Sequence, residues 1–191
     1  MMLRLLSGRV ADRRPPADSP ALCSMLSRHD VLDSLLREIQ ITRHLFGKVP
    51  AGAMDYRPSP GQRSTLELLR YQSFCGLGGT YAMIDGGWDR YQTLAAASNE
   101  LGEGDILSAL DAQAEGLEQV YGSLTDEAFA SQEATSPRGE KMTLGKALLE
   151  HPVKWMTAYK LQLFLYCKLA GNDEIWTPNC WGGVDMERPE A

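Results

Sequence analysis

Residues 143–171, TLGKALLEHPVKWMTAYKLQLFLYCKLAG, read as the long closing helix of a helical bundle. Leu144, Leu148, His151, Trp155, Tyr159, Gln162, Tyr166 and Leu169 recur at steps of three or four, so this stripe is expected to face the interior. Pro152 has no N–H to give and crowds the carbonyl of Leu148, so an interruption is expected there. That interruption leaves the Leu148 carbonyl as a natural partner for His151, which reads as a satisfied core histidine. The opposite stripe, Lys146, Glu150, Lys154, Thr157, Leu161, Phe164 and Lys168, is polar until Leu161 and Phe164 break it. From 161 to 167 the helix is apolar nearly all round, and such a surface is covered either by the chain's own tail or by another subunit. A homodimer through a face including Leu161 and Phe164 is the expected partner, ahead of cover by the tail with Trp176 and Trp181.

Upstream, Ser27 and Asp30 have the form of a helix start, followed by Leu32, Leu35, Leu36, Ile39, Thr42 and Phe46 at helical spacing and Gly47 as the stop. After a Pro- and Gly-rich loop at 48–63, Ser64-Thr65-Leu66-Glu67 is a capping box, predicting a second helix that runs towards Ile84. Gly76, Gly78 and Gly79 each cost up to about 1 kcal/mol in that interior, which points to close helix contacts. A short helical piece is expected over 88–97. Asp105 is the expected cap of a third main helix, with Ile106, Leu110, Gln113, Leu117, Val120 and Leu124 along its core stripe. Residues 131–142 read as a loop, with Asp126 and Glu127 starting a turn.

No stretch alternates with a period of two, so the fold class is all-α: a four-helix bundle at 25–171 with a short extra helix. Irregular segments flank it, a disordered leader at 1–24 and a tail at 172–191 packing on or near the bundle. The 191 residues suit one domain, 43% hydrophobic and 23% charged. A net charge of −6 provides no basic footprint for nucleic acid or anionic lipid, and no apolar run reaches the roughly 18 residues that a membrane span needs. Cys23, Cys75, Cys167 and Cys180 form no C-x-x-C pair and demand no oxidising compartment, so the expected location is cytoplasmic. Cys180, in the tail, reads as a spectator thiol.

Two passages resemble the DinB-like (damage-inducible) superfamily of four-helix bundles over about 27–171. Tyr56-Arg57-Pro58-Ser59-Pro60-Gly61-Gln62-Arg63-Ser64 is similar to that family's entry into its second helix. Trp155-Met156-Thr157-Ala158-Tyr159-Lys160-Leu161-Gln162 stands where its closing H-x-x-x-H-R-G-Q-type helix lies, and Gly171 where that helix ends. The resemblance implies the same bundle. In metal-binding relatives it also implies three histidine ligands and a metal-dependent hydrolase or thiol transferase. Carried onto this chain, the three ligand places fall on Tyr71, Trp155 and Tyr159. An indole cannot ligate and a phenol ionises only near pH 10, so the expectation is a protein without a metal or other cofactor.

His29 and His44 lie about 22 Å apart along one helix and cannot share an ion. His29 reads as solvated and His44 as a favourable group at a helix C-terminus. Glu100, Glu103 and Asp105 read as solvated or capping carboxylates. Two readings of the aromatic corner remain: a vestigial pocket plugged by its rings, or a metal-free small-molecule cleft. The cleft would be lined by Tyr71, His151, Trp155, Tyr159, Gln162 and Tyr166.

Overall fold

The computed structural model describes residues 26–189, so the leader at 1–24 and Cys23 lie outside the described residues. Helix α1, Arg28–Phe46, opens on the expected cap: the Ser27 Oγ accepts the Asp30 N–H, and the Asp30 carboxylate accepts the Ser27 N–H at 2.8 Å. Its buried face is Val31, Leu35, Ile39, Ile41, Thr42 and Leu45, with Leu32 and Phe46 packed at the margins and Leu36 half-buried. Helix α2, Thr65–Gln72, begins on the predicted box of Ser64 and Glu67, with both reciprocal bonds made.

The predicted run to Ile84 does not continue unbroken. It stops at Ser73 and Phe74 and resumes as α3, Cys75–Asp85. A side chain from another helix holds this break open. Gln113 donates to the Gln72 carbonyl at 2.9 Å and accepts from the N–H groups of Gly76 and Leu77 at 2.9 and 3.2 Å. One buried amide thus satisfies the backbone groups that the break would orphan. Gly76 and Gly79 earn their places by close approach: a Cβ at Gly79 would lie 2.8 Å from the Trp155 ring, and one at Gly76 would lie 3.3 Å from Met156.

Helix α4, Asp89–Asn99, is the expected short piece, lying outside the bundle against α3 and α2. A 3-10 turn at Glu103–Asp105 precedes α5, Ile106–Ser123. Asp105 does not cap α5; its carboxylate accepts the Gly102 N–H at 2.8 Å and closes the 3-10 turn instead. The buried residues of α5 are Ile106, Leu110, Gln113, Leu117 and Tyr121. Asp126 and Glu127 start α6, Asp126–Ser131, capped by Thr125. The predicted loop at 131–142 contains a small antiparallel hairpin, β1 Glu133–Thr135 with β2 Lys141–Thr143, in the register Ala134 opposite Met142. Gly139, at φ +83°, supplies its turn.

The closing segment is α7, Leu144–Leu148, a π-helical turn at Leu149–Val153, and α8, Lys154–Leu169. The interruption expected at Pro152 is this π turn, and it moves the buried face. One extra residue in a turn advances the helix by about 100°. The core positions after it are therefore Pro152, Met156, Lys160, Leu163 and Cys167, with Tyr166 beside them. His151, Trp155, Tyr159 and Gln162 sit half-buried at the edge, and Leu169 is 64% exposed, against the expectation that they line the interior.

The main bundle is α1, the α2/α3 pair, α5 and the α7/α8 pair. The fold is all-α apart from the small hairpin. The tail is more regular than expected: α9, Thr177–Trp181, packs on α1 and α8 with Ile175, Asn179 and Cys180 buried. Asn179 bonds Asp185 at 2.8 Å and lies 3.0 Å from His44 Nε2. Phe164 is half-buried against the core, while Leu161, Leu165 and Leu169 stay exposed on the outer face of α8. Among the described residues no helix is long and apolar enough to cross a membrane.

Candidate functional site

Helix α2 continues a face that begins one residue before its cap. Arg63, Glu67, Arg70, Tyr71 and Phe74 follow at helical steps and form one wall of a cleft. Helix α4 answers with Tyr91, Ala95, Ser98 and Asn99, also at helical steps. Between the walls lies a cavity of about 550 Å³. Tyr71 and Tyr159 meet edge to face with ring centroids 4.6 Å apart. Phe74 and Tyr91 pair in the same way at 5.2 Å, and Tyr91 reaches Trp88 at 5.1 Å. Trp155 joins from α8, its ring 6.5 Å from Tyr91 and roughly parallel to Trp88 at 6.4 Å.

The sequence-predicted residues divide into three groups. Tyr71, Tyr159 and Trp155 belong to this aromatic cluster, although only Tyr71 borders the cavity itself. The Trp155 end is filled, because its ring lies on Gly79 and beside Pro152. His151 contacts Trp155 at a ring separation of 5.8 Å, but it opens towards a different groove, shared with Arg138 and Glu140 of the hairpin loop. Its Nε2 is buried without a partner, and no hydrogen bond joins it to Leu148 as the sequence suggested. Burial also holds its imidazole below the ordinary range.

Gln162 and Tyr166 are closed on each other. Gln162 Nε2 donates to the Tyr166 hydroxyl at 2.6 Å, and that hydroxyl donates to the Arg63 carbonyl at 3.1 Å. They do not line the cleft; they hold the backbone of the residue that does.

Arg63 is the residue that sequence reasoning passed over. Its guanidinium carbon lies 4.4 Å from the Tyr71 centroid and 5.5 Å from that of Tyr159. A cation over two electron-rich ring faces is stabilised without giving up its N–H donors. Among the described residues it forms no ion pair. Arg70 spends one donor on the Leu101 carbonyl at 2.6 Å. Glu67, the one carboxylate in the lining, is occupied: Arg57 grips both oxygens at 2.6 and 2.7 Å and the Ser64 N–H adds a third bond. The Arg57 bonds, then the Ser64 bond, hold this carboxyl below its usual range. The spacing of 63, 67, 70 and 74 was the available signal, hidden because Arg63 stands in what reads as a loop.

The donor chemistry of Tyr71, Trp155 and Tyr159 does not fit a divalent cation. Trp155 offers no lone pair, and burial pushes the Tyr71 phenol well above its ordinary pKa, away from the ligating phenolate. Among the described residues no group of three His, Cys, Asp or Glu side chains converges. Burial likewise raises the thiols, Cys75 beside Met156 and Cys167, the latter to about 12, so neither is an activated nucleophile.

The fold is that of the DinB-like four-helix proteins. A DinB-like protein of Bacillus subtilis, YjoA, matches with a TM-score of 0.60 over 77% of this chain and 95% of its own, at 21% identity. A candidate DinB-family member from Exiguobacterium sibiricum 255-15 matches at 0.57 over 81% and 99%, with 18% identity. No protein-family model matches the sequence, and no curated protein does.

Proposed function

We propose that the protein is a metal-independent small-molecule-binding bundle, and that its ligand is a small organic anion with a flat face, held between α2 and α4. The observation that carries this reading is Arg63, stacked on Tyr71 at 4.4 Å at the edge of an open cleft, with no carboxylate partner among the described residues. An arginine stacked on a ring, with no partner for its donors among the described residues, is suited to a carboxylate, and the surrounding rings suit a planar body. Arg70 adds a second positive charge, while the charge of Glu67 is answered by Arg57. The cleft is therefore cationic on a chain whose net charge is −6. Reading the corner as a plugged relic accounts for Trp155 and Gly79, but not for the open space beside Tyr71.

Calorimetric titration with benzoate, on untagged protein in excess chelator, tests the reading. Saturable binding that survives the chelator and weakens at least tenfold in Arg63→Leu supports it. Binding that needs added zinc or nickel, or stoichiometric metal in the purified protein, overturns it.

A further inference from the structure

A second cavity lies next to the first, and the two have Phe74 and Ser98 as common lining. It measures about 230 Å³ and is bounded chiefly by Leu77, Leu94, Leu101 and Ala109. Its few polar side chains are already committed within the protein. Ser73 Oγ donates to the Arg70 carbonyl at 2.8 Å, and Ser98 Oγ donates to Ala95 at 2.8 Å. The Gln113 amide is spent on the break between α2 and α3. This space favours an apolar occupant, because its wall is mainly apolar and its hydroxyl donors are spent within the protein. The first cavity has the opposite character, with spare guanidinium donors on Arg63 and Arg70 and its single carboxylate taken.

We infer that the two cavities together receive an amphipathic anion, a carboxylate on Arg63 and Arg70 carrying an unbranched alkyl segment that passes Phe74 and Ser98 into the apolar space. This rests on the reading of the cleft as an anion site and adds the chemistry of the other end of the ligand. Octanoate, whose carboxylate carries a seven-carbon alkyl arm, is the probe chosen for this space. Phe74 stands at the helix break with its ring against Tyr71 and Tyr91, where it borders both spaces. The break that Gln113 maintains is what places it there.

Calorimetry on the full chain with acetate, butanoate, hexanoate, octanoate and octylammonium tests the inference. Affinity is expected to rise up to about fourfold per added methylene from butanoate to octanoate, the transfer free energy of a buried methylene. Octylammonium is expected to bind at least tenfold more weakly than octanoate. Ala109→Leu, which fills the apolar space, is expected to flatten the dependence on chain length while leaving benzoate binding intact. Ala112→Asp puts a charge on the exposed rim of that space, where folding is not at stake, and is expected to weaken octanoate selectively. Equal binding of octanoate and octylammonium, or no gain beyond butanoate, overturns the inference while benzoate binding leaves the anion site standing. If neither benzoate nor octanoate binds, both readings fall.

Discussion

Lys160 of α8 and Glu38 of α1 form an ion pair at 2.8 Å, with the lysine side chain 1% exposed and the glutamate 14%. Thr157 Oγ1 reaches the same carboxylate at 3.2 Å, and the Trp181 ring covers the ammonium at 4.8 Å. A charge removed from water this far depends chiefly on its partner, so deleting one member leaves the other poorly compensated. Lys160→Met is expected to cost about 3 kcal/mol, the low end for a broken buried pair because Glu38 keeps some solvent. Adding Glu38→Leu is expected to return most of that loss. Urea unfolding of the unaltered chain, Lys160→Met, Glu38→Leu and the double variant checks this; costs that simply add would show that the two charges are not coupled.

Gln113 predicts a larger dependence than its neutral amide suggests. Gln113→Leu leaves the Gly76 and Leu77 N–H groups and the Gln72 carbonyl without their partner. Each stranded buried group costs about 1–3 kcal/mol, so the variant is expected to lose about 3 kcal/mol or more. Denaturant melts measure the loss. A change below about 1 kcal/mol would mean that water or a continuous helix had taken over the bonds.

At Gly79 two effects oppose each other. Alanine improves helix propensity by about 1 kcal/mol, while overpacking costs about 1–3 kcal/mol. The new Cβ would stand 2.8 Å from the Trp155 ring and 3.3 Å from Pro152, neither of them a flexible chain end. Overpacking is therefore expected to win, by about 1 kcal/mol net. A melting temperature above that of the unaltered chain would refute the close approach of α3 and α8.

His151 makes stability sensitive to acid. Burial is the largest cause of its lowered pKa, with Lys154 lowering it further and Glu150 opposing. An imidazole whose folded pKa lies below its unfolded value near 6.5 binds fewer protons in the folded chain, so acid favours unfolding. The penalty is absent above that value and accumulates as pH falls through it towards the depressed folded value. His151→Gln is expected to narrow the loss of melting temperature between about pH 7 and about pH 5. A constant gap between the two proteins across that window would show that this imidazole does not contribute.

What the sequence disclosed was local. The caps at Ser27 and Ser64 are made by side chains three residues from the backbone they satisfy, so a short window contains them whole. The core stripe of α5 and the all-α bundle were legible for the same reason. The break at Ser73 and Phe74 was not, because the side chain that sustains it arrives from position 113. Nor was the face of α8, since a regular helical period cannot register one additional residue in the turn at 149–153. At the site, the aromatic corner of Tyr71, Trp155 and Tyr159 was visible through the DinB resemblance. Arg63 and the wall supplied by α4 needed the tertiary packing to bring them together.

The orientation of α8 depends on the π turn staying a π turn. Deleting one residue between Leu149 and Val153 would remove the turn and keep the buried face of α8, whereas closing the turn as regular α-helix with every residue kept would rotate everything downstream by about 100°. Not one side chain of α8 would change identity, yet Lys160 would leave its carboxylate and Tyr159 would turn from Tyr71 towards the core.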